Sequence, residues 1–444
     1  MTGRVEWTAP LAHGALSAML RVPGSKSLTA RWLVLAAVSD GPTQLRGALS
    51  SRDTRLMRDA LEQLGAQIES EQDDELLTVT PIPPNAEHRQ EPIEIHAGLA
   101  GTVMRFVPPL AALRNGDVRI TGDCAALRRP MGPAIAALRA LGVDVTEEGE
   151  TGRLPIVVHG RGRLRGGRIE VDASASSQFV SNLLLVGARC DEDLVLVHTG
   201  ERLPSLPHIS MTLAVLHAAG VHARHEFDAQ GRHCWVVRSG PVRPGTVRVE
   251  PDLSNAGPFL AAAMVAGGSV GVVGWPERTT QAGDAFRGLL AQMGGDVFRE
   301  DDAIVVTGTG TVRGIDVDMS AHGELVPTIA ALGALAESPT RIRGVAHLRG
   351  HETDRLHALA TELTRLGART VETPDGLEIT PGELTGTVFE TYEDHRMATA
   401  AALIGLRVPD LRVIDIQTTQ KTLPDFVGMW LAMLHTETPA GGTP

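Results

Sequence analysis

Leu356-His357-Ala358-Leu359-Ala360-Thr361-Glu362-Leu363-Thr364-Arg365-Leu366-Gly367-Ala368 decides how the whole chain is read. Leu356, Leu359, Ala360, Leu363 and Leu366 fall at three- and four-residue spacing, which predicts an amphipathic, partly exposed helix. Gly367 follows the last turn, where a residue without Cβ takes the left-handed conformation cheaply. The same ending returns at Leu64-Gly65-Ala66, Leu141-Gly142-Val143, Ala219-Gly220-Val221 and Met293-Gly294-Gly295, with the glycines 77, 78, 74 and 73 residues apart.

A second helix family keeps the same beat. Ser27, Thr102, Ser177 and Ser254 each precede an Ala/Leu/Val-rich run, and the runs at 325–336 and 398–406 complete the series. These runs are apolar on nearly every side, so they are expected to be buried helices with hydroxyl N-caps. Six units of about 74 residues fill the chain, too long a period for a simple solenoid. The expected fold is α/β: six ββαβαβ-like repeats that bury their inner helices together, three to a globule. A sixth Gly-ended copy, near Val427 to His435, lacks the glycine. The loop at 81–92 and the Pro/Gly/Thr tail from Thr436 are expected to be peripheral.

Composition narrows the function. Of 444 residues 43% are hydrophobic and 21% charged, an ordinary composition for a globular protein of two or more domains. A net charge of −12 argues against nucleic acid or an anionic membrane as the main partner, and 3% aromatics leaves little for base stacking. No signal peptide or membrane span is visible, and three cysteines without a CxxC pair fit a reduced cytoplasmic protein with no structural zinc. Only two of the 41 Lys and Arg residues are lysines, Lys26 and Lys421. In a chain that uses arginine almost everywhere, these two mark positions where a compact cation with an adjustable pKa is needed.

The polar residues that interrupt the repeat gather at helix starts. Lys26, Ser27 and Arg31 open the first buried helix, with Ser27 and Arg31 on one face. Gly101, Thr102 and Arg105 open the second. Arg129-Pro130 is expected to open a Gly-ended helix. Ser176-Ser177-Gln178, Glu352-Thr353-Asp354-Arg355 and Asp394-His395-Arg396 open three more. Helix N-termini present unpaired N–H groups and a positive dipole end, so several of them with cations and hydroxyls suit a substrate rich in phosphate and carboxylate. Gly24-Ser25-Lys26-Ser27 lacks the order of a nucleotide-binding P-loop, no GxGxxG is present, and the sixteen histidines form no metal-ligand pattern.

Pro23-Gly24-Ser25-Lys26-Ser27, the stretch Leu99 to Arg105, Arg129-Pro130-Met131-Gly132, Ser176-Ser177-Gln178-Phe179, the stretch His351 to Leu356, the stretch Asp394 to Ala398 and Lys421-Thr422-Leu423-Pro424-Asp425 together resemble the 5-enolpyruvylshikimate-3-phosphate (EPSP) synthase family, in order along nearly the whole chain. The resemblance implies a two-domain inside-out α/β barrel of six repeats, three per domain, closing over its substrates. Residues 23–250 would form one domain, residues 1–22 and 251–436 the other, and 437–444 a flexible tail. It also implies transfer of the enolpyruvyl group of phosphoenolpyruvate to the 5-hydroxyl of shikimate 3-phosphate by a cytoplasmic monomer, with no metal or organic cofactor.

By motif position, Lys26, Gly101, Arg129, Arg355, Arg396 and Lys421 would hold phosphoenolpyruvate. Ser27, Arg31, Ser176, Ser177, Gln178, Ser205, Glu324 and His351 would hold shikimate 3-phosphate. Glu324 would be the base for the hydroxyl, and Glu352 would exchange protons with the methylene carbon, with Lys26 beside it. An unsubstituted Gly101 implies sensitivity to glyphosate. The chain departs from the family pattern at Glu324 (often aspartate), His351 (often lysine), His347 (often asparagine), His208 (often tyrosine) and Leu99 (often asparagine). The alternative in the same fold is a UDP-N-acetylglucosamine enolpyruvyl transferase, whose reactive cysteine would correspond to Cys124, but the motifs at 176–179, 351–356 and 394–398 favour the shikimate enzyme. A non-catalytic anion-binding scaffold is a third reading; it would be expected to lose Glu324 or Glu352, and both are present.

Overall fold

The computed structural model describes residues 5–71, 75–83 and 93–435. Most of the expected loop at 81–92, and the tail from Thr436, lie outside the described residues. The chain forms two compact units, Gly24–Val249 and Met1–Pro23 with Glu250–Pro444.

Within Gly24–Val249 the three inner helices are Lys26–Ala37, Gly101–Ala112 and Gln178–Val186, and the outer ones are Arg52–Leu64, Gly132–Ala140 and Leu206–Ala218. Every residue of Gly101–Ala112 is buried, as a helix apolar all round must be. Each repeat also carries a four-stranded sheet. In the second, Ile93–His96 runs parallel to Asn115–Thr121, and Ile156–Arg161 and Asp144–Glu147 follow antiparallel. The inner helix Gly101–Ala112 lies in the chain between the two parallel strands, as a parallel pair requires a crossover connection. The third repeat pairs Gly167–Val171 with Leu194–His198 in the same way. The first borrows its leading strand, because Thr246–Arg248 from the end of the unit lies parallel to Thr43–Arg46.

The other unit repeats the plan. Its inner helices are Leu253–Ala266, Val326–Ala334 and His395–Gly405, and its outer ones Phe286–Gln292, Arg355–Leu366 and Phe426–His435. Here too the leading strand comes from far away: Leu16–Leu20 lies parallel to Gly268–Val272, with Leu16 opposite Gly268. The last sheet has three strands, Val388–Phe389, Arg412–Ile414 and Glu6–Thr8. Each unit has its own apolar core. The strand and helix order is the expected repeat, cut at a different strand.

The five glycines of the sequence repeat, Gly65, Gly142, Gly220, Gly294 and Gly367, all have positive φ, from 78° to 117°. The expectation of hydroxyl caps fails at three of its four positions. The first inner helix is capped by Ser25, which accepts from the Leu28 N–H, so Ser27 lies inside the first turn. Ala100 precedes the helix that holds Thr102, and Asp252 rather than Ser254 caps Leu253–Ala266. Ser177 does stand at the cap position but makes no cap bond. Arg129-Pro130 opens no helix either; Arg129 lies in the turn between Cys124–Leu127 and Gly132–Ala140. The helices start up to two residues from where their apolar runs do, because the cap is chosen by side-chain reach rather than by hydropathy.

Candidate active site

In Gly24–Val249 the candidate residues fall at the N-terminal ends of inner helices and in the loops beside them. Lys26 is the first residue of its helix, and its Nζ lies 3.5 Å from Oδ2 of the buried Asp53. Arg31 is buried and heavily engaged: Nε donates to Thr212 Oγ1 at 2.8 Å, and its terminal nitrogens to the Ser27 carbonyl at 2.9 Å and the His208 carbonyl at 3.0 Å. It therefore braces Ser27 from below and ties the first inner helix to Leu206–Ala218.

Gln178 is aimed by Arg105, whose guanidinium donates to its Oε1 at 2.7 Å and lies 5.1 Å from the Phe179 ring centre. That bond fixes which end of the amide is the oxygen and leaves the NH2 group as its donor end. Ser176 Oγ accepts from the Gln178 N–H at 3.3 Å. Ser205 precedes Leu206–Ala218 in a left-handed conformation, φ 55°, and its side chain makes no cap bond. Non-glycine residues in that region persist only where their surroundings enforce them. His198 bonds to the loop three residues before Ser205. Its Nδ1 lies 3.2 Å from the Ala173 N–H and 3.4 Å from the Val171 carbonyl, and its Nε2 lies 3.1 Å from the Arg202 carbonyl. One imidazole thus joins the loop of Ser176 and Ser177 to the loop of Ser205.

Arg129 lies against Gly101. A Cβ built on Gly101 would stand 3.0 and 3.1 Å from its two terminal nitrogens. Its guanidinium makes a long hydrogen bond, 3.5 Å to the Leu99 carbonyl, and its buried Nε has no partner among the described residues. Cys124 is an exposed free thiol.

In the other unit the candidates form one connected chain of charges. Lys421, 3% exposed, donates to Glu352 Oε1 at 2.5 Å. Glu352 Oε2 accepts from Arg355 at 3.1 Å. Arg355 in turn donates to both oxygens of the fully buried Asp394, at 2.7 and 3.2 Å. Asp394 caps the last inner helix by accepting from the Arg396 N–H at 2.8 Å. The Arg396 guanidinium donates to the Ser254 carbonyl at 2.8 Å, and Ser254 Oγ donates to Glu324 Oε1 at 2.6 Å. Burial alone would lower the Arg355 pKa, but Asp394 and then Glu352 outweigh it and hold the guanidinium charged.

His351 Nδ1 faces Arg355 at 3.2 Å. Arginine can only donate, so Nδ1 accepts and the ring is neutral with its proton on Nε2. His347, 5.6 Å from it between ring centres, is pushed down to about 4, first by burial and then by the Arg355 charge. His322 beside Glu324 is also lowered by burial, partly offset by that carboxylate. His347 and His322 are thus uncharged at neutral pH.

Glu324, His351, Glu352, Arg355, Arg396 and Lys421 are thus gathered in one unit, and Lys26, Ser27, Arg31, Gly101, Arg129, Ser176, Ser177, Gln178 and Ser205 in the other. Sequence reasoning missed Asp53, His198, Ser254 and the bridging role of Asp394. Each has a partner 25 to 142 residues away, where no local pattern points to it.

The fold is that of the enolpyruvyl transferases. The EPSP synthase of Acinetobacter baumannii superposes with a TM-score of 0.79 at 24% identity, over 96% of this chain and 98% of that one. The enolpyruvyl transferase NikO of Streptomyces tendae does so with 0.73 at 21% identity, over 95% and 96%. Residues 11–430 match the model of the family EPSP synthase (3-phosphoshikimate 1-carboxyvinyltransferase). A 3-phosphoshikimate 1-carboxyvinyltransferase of Kocuria rhizophila is 52% identical over 437 residues, 97% of each chain. One of Bifidobacterium longum is 48% identical over 440 residues, 97% of this chain and 98% of the other. The chain belongs to the EPSP synthase family.

Proposed function

We propose that this chain transfers the enolpyruvyl group of phosphoenolpyruvate to the 5-hydroxyl of shikimate 3-phosphate and releases phosphate. The observation that carries the reading is the pair of carboxylates with different partners. Glu352 bonds directly to two cations, Lys421 and Arg355, while Glu324 accepts from the Ser254 hydroxyl and meets the Arg355 charge at longer range. Addition–elimination needs two such groups. Glu324 takes the proton of the 5-hydroxyl as that substrate oxygen bonds to C2 of phosphoenolpyruvate, and Glu352 relays a proton taken up from solvent to the methylene carbon, with Lys26 in support. Phosphate then leaves as Glu352 removes a methyl proton and the double bond re-forms. Separated environments for two acids are what set their roles apart.

Arg129, Arg355, Arg396, Lys26 and Lys421 supply charge for the carboxylate and phosphate of phosphoenolpyruvate, with the Gly101 backbone beside them. Ser27, Ser176, Ser177, Gln178 and Ser205 serve shikimate 3-phosphate as neutral donors, with Arg31 bracing Ser27 and His351 offering Nε2–H. The enzyme acts as a monomer in the cytoplasm. No helix among the described residues is long and apolar enough to cross a membrane.

Phosphate release from phosphoenolpyruvate should appear only when shikimate 3-phosphate is added. Release with UDP-N-acetylglucosamine in its place would overturn the assignment. Gly101→Ala should displace the Arg129 guanidinium, the mobile end of a side chain, rather than the helix. The expected outcome is a KM for phosphoenolpyruvate raised by about tenfold with a smaller change in kcat, checked by steady-state kinetics. An unchanged KM would show that Arg129 does not hold that substrate.

A further inference from the structure

Outside the residues assigned above, one buried carboxylate is spent on an unusual piece of backbone. Glu362 is fully buried in the helix Arg355–Leu366, seven residues after Arg355 and therefore on the same face two turns on. Its Oε1 accepts from the Tyr392 hydroxyl at 2.7 Å, and its Oε2 from the Glu390 N–H at 3.2 Å. Arg365 balances the charge at 3.0 Å to both oxygens. The segment it grips is strained, because Tyr392 and Glu393 are consecutive non-glycine residues with φ of 54° and 58°. Such a conformation is held by its surroundings rather than chosen by the residues. The next residue is Asp394, which binds Arg355 and caps the helix of Arg396.

One helix therefore fastens this segment twice, through Arg355 to Asp394 and through Glu362 to Tyr392 and Glu390. We propose that Glu362 is a positioning residue for the transfer reaction: by pinning the left-handed Tyr392-Glu393 pair it sets where Asp394 stands, and so where Arg355 and Arg396 meet phosphoenolpyruvate. The inference rests on the assignment of those two arginines to phosphoenolpyruvate. Of the residues assigned to shikimate 3-phosphate on the same unit, His351 meets Arg355 through one ring nitrogen and Glu324 is reached through Ser254 and Arg396, so the loss of Glu362 falls first on phosphoenolpyruvate.

Tyr392 makes the contact directly measurable, since it is the only tyrosine in the chain. Its phenol is pushed up to about 12, first by burial and then by the Glu362 hydrogen bond and charge. In Glu362→Gln the phenol, followed by absorbance near 295 nm against pH, should titrate closer to its ordinary value of about 10. The KM for phosphoenolpyruvate should rise by about tenfold while that for shikimate 3-phosphate rises by less than about threefold. Tyr392→Phe, which removes a single bond at a partly exposed site, should show the same selectivity at smaller size. A phenol that titrates alike in wild type and Glu362→Gln overturns the contact. A shifted phenol with both KM values unchanged, or raised equally, overturns the positioning role and leaves Glu362 a purely structural group. A wild type without turnover would sink the functional reading and this inference with it, while the titration would still decide whether the carboxylate holds the segment.

Discussion

Glu352→Gln should lower kcat by two to four powers of ten, the range over which a positioned proton-transfer group contributes. The carboxylate touches Lys421 at 2.5 Å and Arg355 at 3.1 Å. Glutamine keeps the shape but cannot carry the proton to and from the methylene carbon. It can also present an oxygen to only one of the two cations, so its NH2 group faces the other, and Lys421 is too buried to turn to water instead. Two measurements check this. Steady-state phosphate release gives kcat, and incorporation of solvent deuterium into the methylene of phosphoenolpyruvate isolates the proton step. A variant within threefold of wild type, or one that still exchanges deuterium, would remove Glu352 from that role.

Glu324→Gln should be nearly as severe, with a different signature. Ser254 Oγ donates to Glu324 Oε1 at 2.6 Å, and a glutamine oxygen can accept the same bond, so the side chain stays in place. What is lost is the base. The expected result is a kcat lower by about a hundredfold or more with the dissociation constant for shikimate 3-phosphate changed by less than about threefold. Isothermal calorimetry supplies the second number. Binding weakened as much as turnover would mean that Glu324 only holds the substrate.

The repeat was legible because it rests on two local rules, helical apolar spacing and glycine past the last turn. All five glycines found by spacing have the backbone angle that explains them. The candidate cations and carboxylates were legible as motifs, yet their partners were not. Arg31 reads as a ligand in a first turn and is folded into contacts with Thr212 and the carbonyls of Ser27 and His208. Ser254 reads as a cap and instead connects Arg396 to Glu324. Asp394 reads as a cap, which it is, but its other contact lies 39 residues back at Arg355. Such pairings are set by which repeats touch, and no property of the local sequence encodes that. The strands exchanged at the ends of each unit were hidden for the same reason: Leu16–Leu20 resembles any short apolar strand until Gly268–Val272 appears beside it.

That exchange bears on how the chain assembles. Pairing Leu16 with Gly268 closes a loop of about 250 residues, which in a flexible chain costs about 5 kcal/mol beyond a constant. The loop is not flexible once Gly24–Val249 has folded. The ends of that unit lie side by side, with the position of a Cβ on Gly24 3.3 Å from the Val249 side chain. On the other unit's side of the junction, the Asp252 N–H bonds the Pro23 carbonyl at 2.8 Å. To the remaining unit the folded insertion is a short hairpin turn rather than a long tether. Folding the continuous unit first converts this long-range contact into a nearly local one.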